Sequence, residues 1–185
     1  MYLNLEEAIL LLSNTQKRSK RHSRRNYAMI TLFLNLGIRL SELVKMDFED
    51  INWETRQIKI HGKGKKERIL YLNNSCINAI INYTDRRRGA VFLSERGGRI
   101  SRRDVQHIVK TELEAVGLEE YSTHKLRHTC ATLMYQNGVD IRLLQKILGH
   151  ESIATTEIYT HVKNEQIEKA AKKVGKLYAK LPKRT

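Results

Sequence analysis

At 185 residues the chain fits one large domain or two small ones, and a chain of this length buries roughly 70% of its unfolded surface. Its 34 lysines and arginines outnumber its 20 aspartates and glutamates, which gives a formal net charge of +14. That excess is larger than solubility requires, so we predict a polyanionic partner and favour nucleic acid over a merely solvated surface. No apolar run reaches 18 residues and no secretory signal is recognisable, so we expect no membrane association and a cytoplasmic location.

The two cysteines, Cys76 and Cys130, both lie in apolar helical patterns. Two cysteines without C-x-x-C spacing predict neither a disulfide framework nor a zinc site. We therefore expect both to be reduced core residues.

Apolar residues recur at helical spacing in residues 3–13 and again in residues 26–36, which predicts an amphipathic helix followed by a buried one. Gly37 should end the second helix as a C-cap. Between the two helices, residues 16–25 carry six basic side chains and no acid. This basic segment is either a solvated loop or a contact to the DNA backbone, and Arg24 and Arg25 are its candidate DNA contacts.

Arg39 lies between apolar neighbours just after this glycine, and Glu42 follows three positions later. Burying an arginine is costly unless an acid or a phosphate pairs with it. From this stretch alone an ion pair with Glu42 is the favoured interpretation. The alternative is a guanidinium that Glu42 holds toward a phosphate.

The hydrophobic period changes to two in residues 47–72, where Ile58 and Ile60 alternate with polar residues around a Gly- and Lys-rich turn. This pattern predicts a β-hairpin. Its turn contains Lys63, Lys65 and Lys66, which would be either a mobile exposed tip or a contact to an anion.

Helical periodicity returns in the second half of the chain, in residues 75–83, 101–116, 125–136, 141–148 and 165–181. Ser101 and Asp140 stand at N-cap positions, and Gly149 should end the fourth of these helices. We therefore predict one α+β domain that is mostly α-helical, with a small antiparallel β-sheet or hairpin.

Residues 123–162 hold the most distinctive pattern of the chain. His124, Arg127 and His128 fall within about one helical turn, His150 follows a second glycine-terminated helix, and Tyr159 comes nine positions later. Cationic donors stabilise an anion and a phenolic oxygen can attack one, so this pattern predicts chemistry on a phosphate. We expect no metal, because no glutamate follows His124 and no third ligand is placed near the histidine pair.

Several stretches, in the same chain order, resemble the catalytic domain of the tyrosine recombinases (phage integrase family), closest to the Xer and integrative-element integrase branch. These are residues 37–43 (GIRLSEL), 62–68 (GKGKKER), 123–128 (THKLRH), and 148–150 (LGH) with 155–162 (TTEIYTHV). Each motif alone is modest, but four in order that end on the tyrosine are highly specific. The resemblance covers nearly the whole chain, residues 1–185.

The resemblance implies a set of six catalytic residues: Arg39, Lys63, His124, Arg127, His150 and Tyr159. Tyr159 would be the nucleophile that forms a 3′-phosphotyrosyl bond, and Lys63 would protonate the departing 5′ oxygen. The arginines and histidines would stabilise the charge on the non-bridging oxygens. Glu42 and His128 would contact and orient these residues without touching the substrate. The alternative for His128 is a core histidine. Lys65 and Lys66 would bind DNA. No metal, ATP or other cofactor is implied.

The resemblance also implies how the chain is organised and assembled. Family members carry a helical core-binding domain ahead of the catalytic domain, and we expect that N-terminal domain to be absent because residue 3 already resembles the start of the catalytic domain. The partner would be double-stranded DNA, with a free monomer and a homo- or hetero-tetramer on DNA. The C-terminal helix, residues 164–181, would dock on an adjacent protomer or else complete its own core.

Two alternatives remain at this point. A DNA-binding regulator would hold DNA without cutting it, and residues 142–159 have some helix-turn-helix character. A monomeric type IB-like topoisomerase would use the same chemistry without a partner protomer.

Overall fold

The computed structural model describes residues 1–18, 22–149 and 164–179 of the chain. Within these ranges the elements are α1 (Leu5–Lys17), α2 (Ser23–Leu36), α3 (Leu40–Lys45), a short 3-10 helix (Phe48–Asp50), β1 (Ile51–Asn52), β2 (Gln57–His61), β3 (Glu67–Tyr71), α4 (Asn74–Tyr83), α5 (Arg102–Glu114), α6 (Thr123–Gln136), α7 (Ile141–Leu148) and α8 (Asn164–Tyr178). The predicted α+β class, mostly helical with a small antiparallel sheet, is confirmed.

Helix α2 is the centre of the hydrophobic core. Twelve of its fourteen residues are buried, and it packs against α1, α4, α5, α6 and α8. A helix that is buried on nearly all sides belongs at the centre of a fold, as the apolar pattern of residues 26–36 predicts. Even so, no helix in the described ranges is both long and apolar enough to cross a lipid bilayer.

Gly37 ends α2 in the left-handed conformation, with φ of +59°, as predicted for a C-cap. A Cβ atom at Gly37 would lie 2.7 Å from Leu148 Cδ2 and 3.4 Å from Cys130 Sγ. The end of α7 and the middle of α6 therefore pack directly on this turn. This close approach brings three segments together where the site lies.

The three strands form an antiparallel sheet in the order β1-β2-β3. Ile58 pairs with Leu70 and Ile60 pairs with Arg68, so these four residues share one face of the β2–β3 hairpin. The predicted hairpin is confirmed, whereas the two-residue strand β1 was not predicted. At the tip, the amide of Gly62 donates to Lys66 O at 2.8 Å and closes the turn.

Helix α8 packs on the domain to which it belongs. Its buried side chains are Ile167, Ala170, Ala171, Val174 and Tyr178. They face α2, α4, α6, α7 and β3, and Asn73 Nδ2 donates to Ala171 O at 2.9 Å. In this single chain the predicted apolar stripe thus completes its own core, while residues 180–181 of the predicted helix lie outside the described part.

Cys76 and Cys130 are free and fully buried, which confirms their prediction as core residues. Burial raises the pKa of the Cys130 thiol to about 12 and raises that of Cys76 as well. Both thiols are therefore neutral packing groups at physiological pH.

Candidate active site

Three of the predicted catalytic residues meet in one pocket of about 330 Å³. Arg39 reaches it from the N-cap of α3, and His124 and Arg127 reach it from the first two turns of α6. Residues three positions apart on a helix share a face, which explains how His124 and Arg127 point the same way. The pocket is completed by Ile38, Leu40, Ser41, Arg102 and Thr123.

Arg39 is held by Glu42 through both its backbone and its side chain. The backbone amide of Arg39 donates to Glu42 Oε2 at 2.7 Å, and Nη1 lies 3.4 Å from Glu42 Oε1. Its Nη2 donates to Gly149 O at 3.1 Å, yet 41% of the side chain stays exposed. The ion pair expected from the sequence is therefore present, and it leaves part of the guanidinium open to the pocket.

Arg127 is the more deeply placed of the two arginines, with 7% of its surface exposed. It donates from Nη1 to Gly37 O at 2.6 Å and from Nη2 to Leu148 O at 2.7 Å. Burial, and then the nearby charge of Arg39, lower the pKa of Arg127 to about 10, so it remains protonated at neutral pH. Two cations that face one pocket repel each other, and a bound anion would relieve that repulsion.

Arg68 is one of two arginines in this region that sequence reasoning missed, the other being Arg102 in the pocket lining. Nη1 and Nη2 of Arg68 donate to the two carboxylate oxygens of Glu42 at 2.6 and 2.9 Å, and its Nε donates to Ile147 O at 2.7 Å. A signal was present, because the period of two places Arg68 on the apolar face of the hairpin beside Leu70. An arginine at such a position requires a buried partner.

Glu42 is the carboxylate behind the site, with 3% of its surface exposed. Burial alone would raise its pKa, but the hydrogen bonds and charge of Arg68, together with those of Arg39, outweigh burial and lower the pKa of Glu42. The carboxylate is therefore ionised at neutral pH. It ties the segment of Arg39 to strand β3.

Lys63 lies at the exposed tip of the β2–β3 hairpin and does not line the pocket. The base of the hairpin is close to the site, because a Cβ atom at Gly62 would lie 3.8 Å from Glu42 Oε1. Lys65 and Lys66 are exposed on the same turn. The hairpin is thus an arm that carries three lysines beside the arginine cluster.

His61 secures the base of this arm. Its Nε2 lies 2.7 Å from Asp50 Oδ1, and its Nδ1 lies 3.1 Å from Glu67 Oε1. The hydrogen bond to Asp50 is the main cause of a raised pKa at His61, and the charges of both carboxylates add to it.

His128 lies one turn further along α6 from His124 and outside the pocket lining. It is exposed, with its ring centroid 5.8 Å from that of Tyr2, so it is not a core histidine. Partial burial, followed by the charge of the N-terminal amino group, lowers the pKa of His128. In the described ranges no group of three or more His, Cys, Asp or Glu side chains could hold a metal ion.

The two arginines of the basic segment that are candidate DNA contacts differ in exposure. Arg24 is exposed, whereas Arg25 is only 5% exposed and donates from Nη1 to Leu93 O at 3.0 Å. Arg25 also bonds Asn26 Oδ1 through Nε and Nη2. Its guanidinium thus ties α2 to the loop around Leu93, which leaves Arg24 as the exposed candidate for a DNA contact.

His150 and Tyr159 lie outside the described residues. The last residue described before them is Gly149, the C-cap of α7, which has φ of +63°. Its carbonyl accepts from Arg39, and the preceding carbonyl accepts from Arg127. The end of α7, directly before His150 in the sequence, is therefore in contact with the pocket arginines.

Comparison with known sequences places the chain in one protein family. Residues 2–166 match the phage integrase family. The tyrosine recombinase XerC of Caldanaerobacter subterraneus subsp. tengcongensis is 48% identical over 183 residues, which cover 94% of this chain and 50% of that protein. XerC of Pelobacter propionicus is 37% identical over 172 residues, covering 90% of this chain and 57% of that protein.

Solved structures agree with these sequence matches. XerA recombinase superposes with a TM-score of 0.72 at 31% identity, covering 91% of this chain and 61% of that one. XerH recombinase, in a post-cleavage complex with its palindromic difH substrate, gives a TM-score of 0.71 at 28% identity, covering 92% and 52%.

The chain spans only about half the length of the XerC relatives that it matches. Within that span the family match, the sequence identity and the fold all point to the same family as the motifs that form the arginine pocket. The chain belongs to the phage integrase family, and its fold matches that of a tyrosine recombinase catalytic domain.

Proposed function

We propose that this chain carries the catalytic function of a site-specific DNA recombinase, which cleaves and rejoins strands through a 3′-phosphotyrosyl intermediate. The observation that carries the proposal is the convergence of Arg39, Arg127 and His124 on one pocket. Arg102 adds a third guanidinium, and none of the described residues that line the pocket is acidic. Such a pocket is built for an anion of the size of a phosphodiester.

The chemistry follows from the charge that develops on the phosphate. The oxygen of Tyr159 loses its proton to solvent and attacks phosphorus, a tyrosyl O–P bond forms, and the bond from phosphorus to the 5′ oxygen breaks. Arg39 and Arg127 present planar donors to the non-bridging oxygens, whose charge rises in the transition state. Lys63 gives its proton to the 5′ oxygen.

Rejoining is the reverse of cleavage. A 5′ hydroxyl attacks the phosphotyrosine and returns its proton, so the phosphodiester energy is conserved and no cofactor is consumed. A free phenol has a pKa of about 10, so Tyr159 needs the cationic field of the pocket to act as a nucleophile.

Double-stranded DNA is the proposed substrate and partner. The net charge of +14 and the exposed lysines of the hairpin support this assignment. Arg102, Lys63, Lys65, Lys66 and Arg24 are the proposed contacts to its backbone. We place this activity in the cytoplasm.

We further propose a monomer in free solution and a homo- or hetero-tetramer on DNA, with α8 exchanged onto the adjacent protomer only in that assembly. Sedimentation measures the number of protomers with and without DNA that carries a recombination site. The comparison of the full chain with a chain ending at residue 164 tests whether the tetramer needs α8. A stable tetramer without DNA, or normal tetramer formation by the truncated chain, would contradict it.

The proposal is tested by trapping the intermediate on a pool of nicked duplexes with randomised sequence. Cleavage next to the nick releases a short fragment, so religation fails and a covalent complex accumulates on a denaturing gel. The wild-type chain should form the complex, and Tyr159→Phe should bind the same pool without forming it.

Other outcomes identify the alternatives. Binding without any covalent complex in the wild-type chain would indicate a DNA-binding regulator. Relaxation of a supercoiled plasmid by the isolated monomer, with no preference for sequence in the trapped pool, would indicate a topoisomerase.

A further inference from the structure

Three arginines hold the end of α7. Three successive backbone carbonyls each accept a hydrogen bond from a different arginine. The bonds are Arg68 Nε to Ile147 O at 2.7 Å, Arg127 Nη2 to Leu148 O at 2.7 Å, and Arg39 Nη2 to Gly149 O at 3.1 Å. The last carbonyls of a helix have no partner within the helix and carry partial negative charge, which makes them suitable acceptors for cations. Two of the three arginines line the pocket, and Arg68 does not.

We propose that Arg68 is a positioning residue for strand cleavage, which fixes the geometry of Arg39 and of the end of α7 without touching DNA. Its side chain is 11% exposed, against 41% for Arg39, so it lies behind the site. It reaches Arg39 by two routes. One passes through Glu42, which both arginines bind, and the other through the carbonyls of α7.

The geometry requires an arginine at this position. Two parallel bonds to the Glu42 carboxylate and a third bond from Nε use three donors in one rigid plane. A lysine offers a single point charge and cannot make all three bonds at once. A Cβ atom at Gly149 would lie only 3.1 Å from Arg68 Nη1, so the C-cap of α7 packs closely on the guanidinium.

Arg68 should therefore affect the rate of strand cleavage and not the affinity for DNA. Loss of Arg68 frees Glu42 and Ile147 O to move, and Arg39 shifts with them. Misplacement of a catalytic group by 1 Å lowers a rate by about 100-fold, whereas DNA affinity depends on many phosphate contacts and should change little. This inference rests on the proposed function, so its test includes a readout that needs no cleavage.

The experiment compares Arg68→Lys and Arg68→Ala with Arg99→Lys as the matched control. Arg99 also bonds one carboxylate, Asp47, and one backbone carbonyl, Val44 O, but it lies outside the pocket lining. Single-turnover formation of the covalent complex is measured at saturating DNA, and affinity is measured separately in a Tyr159→Phe background. Both Arg68 variants should lose about 100-fold in rate with affinity nearly unchanged, and Arg99→Lys should lose neither.

Two further measurements separate positioning from simple stabilisation of the fold. Guanidinium ion at a concentration well below that which denatures should partly restore cleavage by Arg68→Ala, while the same concentration of sodium chloride should not. In NMR spectra without DNA, the Nε–Hε signal of Arg39 should move in both Arg68 variants and stay in place in Arg99→Lys.

The proposal is overturned if cleavage and affinity fall together, if both Arg68 variants fail to fold, or if the Arg39 signal does not move. Each of these results would make Arg68 a structural residue only. Absence of any covalent complex in the wild-type chain would instead reject the proposed function, and the NMR comparison would still decide whether Arg68 positions Arg39.

Discussion

Glu42 shows how single residues set up the pocket. Its carboxylate is bound by Arg39 and Arg68 and lies behind the cationic surface that faces the substrate. A carboxylate in the pocket itself would neutralise the charge that an incoming phosphate needs. Placed behind the pocket, the same group orients Arg39 and leaves the front of the site positive.

Replacement of Glu42 by glutamine should destabilise the fold at neutral pH. The change leaves the largely buried Arg68 without a counter-charge, which costs about 3 kcal/mol in the free energy of unfolding. Denaturant unfolding measures this loss, and Glu95→Gln is the control, because Glu95 is 75% exposed and its contact to His22 is 3.6 Å long.

The same variant should alter the acid dependence of stability. Because folding lowers the pKa of Glu42, its contribution is present above the unfolded-state pKa and is lost as pH falls through the folded-state value. The stabilities of wild type and Glu42→Gln should therefore converge in acid. A difference that stays constant down to strongly acidic pH would contradict the assignment.

Lys63 should act on the leaving group. Lys63→Ala should slow cleavage of an ordinary strand by a factor of about 100, the low end of general-acid effects. A substrate with sulfur at the bridging 5′ position should restore much of the rate, since a thiolate leaves without a proton. The comparison uses Lys65→Ala, exposed on the same turn, and Arg127→Ala.

Lys65→Ala should cleave the ordinary strand at nearly the wild-type rate. Arg127→Ala should gain little from sulfur, because Arg127 stabilises charge and donates no proton to the leaving group. Equal rescue of Lys63→Ala and Arg127→Ala would remove the general-acid role from Lys63.

At the scale of elements, the β2–β3 hairpin is an arm whose base is fastened and whose tip is exposed. His61 fastens it by bridging Asp50 and Glu67. Folding raises the pKa of His61, so the stabilisation is complete below the unfolded-state pKa and disappears as pH rises through the folded-state value.

Amide hydrogen exchange in β2 and β3, corrected for the intrinsic effect of pH, should therefore show faster opening as pH rises through the pKa of His61. His61→Gln should abolish this dependence, and His107→Gln, an exposed histidine on α5, should preserve it. An unchanged pH dependence in His61→Gln would show that another group fastens the arm.

The elements were predictable wherever periodicity extended over enough residues. The long helices, the hairpin and the Gly37 cap followed from local pattern alone. Strand β1 and helix α3 were missed, because two and six residues are too few to reveal a period.

The sequence motifs identified residues of the candidate site, but they did not reveal the contacts between residues that are distant in the sequence. Arg39, His124 and Arg127 were found because their types and order carry chemistry. The period of two marked Arg68 as a residue that needs a buried partner, but not which one, because Glu42 and Ile147 lie 26 and 79 positions away. Arg25 was a candidate DNA contact because it lies in a basic run, and its bond to Leu93, 68 positions away, could not be read from that run. Burial of an arginine is a tertiary property, which a run of basic residues does not reveal.

For the whole molecule, α8 is integrated with the site and not only attached to the core. It packs on β3, which carries Arg68, and on α7, whose Ile147 accepts from Arg68. A change in where α8 docks would therefore reach the arginine cluster through these two elements. This arrangement gives the proposed exchange between protomers a physical route to the chemistry.

The high positive charge of the whole molecule should make DNA affinity strongly dependent on salt. The logarithm of the affinity should fall linearly with the logarithm of salt concentration, by about 0.9 for each phosphate contacted. Arg102→Ala should reduce that slope by about 1 if Arg102 meets a phosphate from the pocket wall. Arg87→Ala is the control, since the Arg87 guanidinium lies 4.9 Å from the ring of Trp53. An unchanged slope in Arg102→Ala would remove Arg102 from the DNA contacts.

The central claim is that Tyr159 becomes joined to the 3′ phosphate of cleaved DNA. The most direct measurement digests the trapped complex with nuclease and protease and determines by mass spectrometry which residue keeps a nucleotide, and through which end. We predict a nucleotide on the peptide that contains Tyr159, linked through a 3′ phosphate. A nucleotide on any other residue, or a link through a 5′ phosphate, would contradict the account.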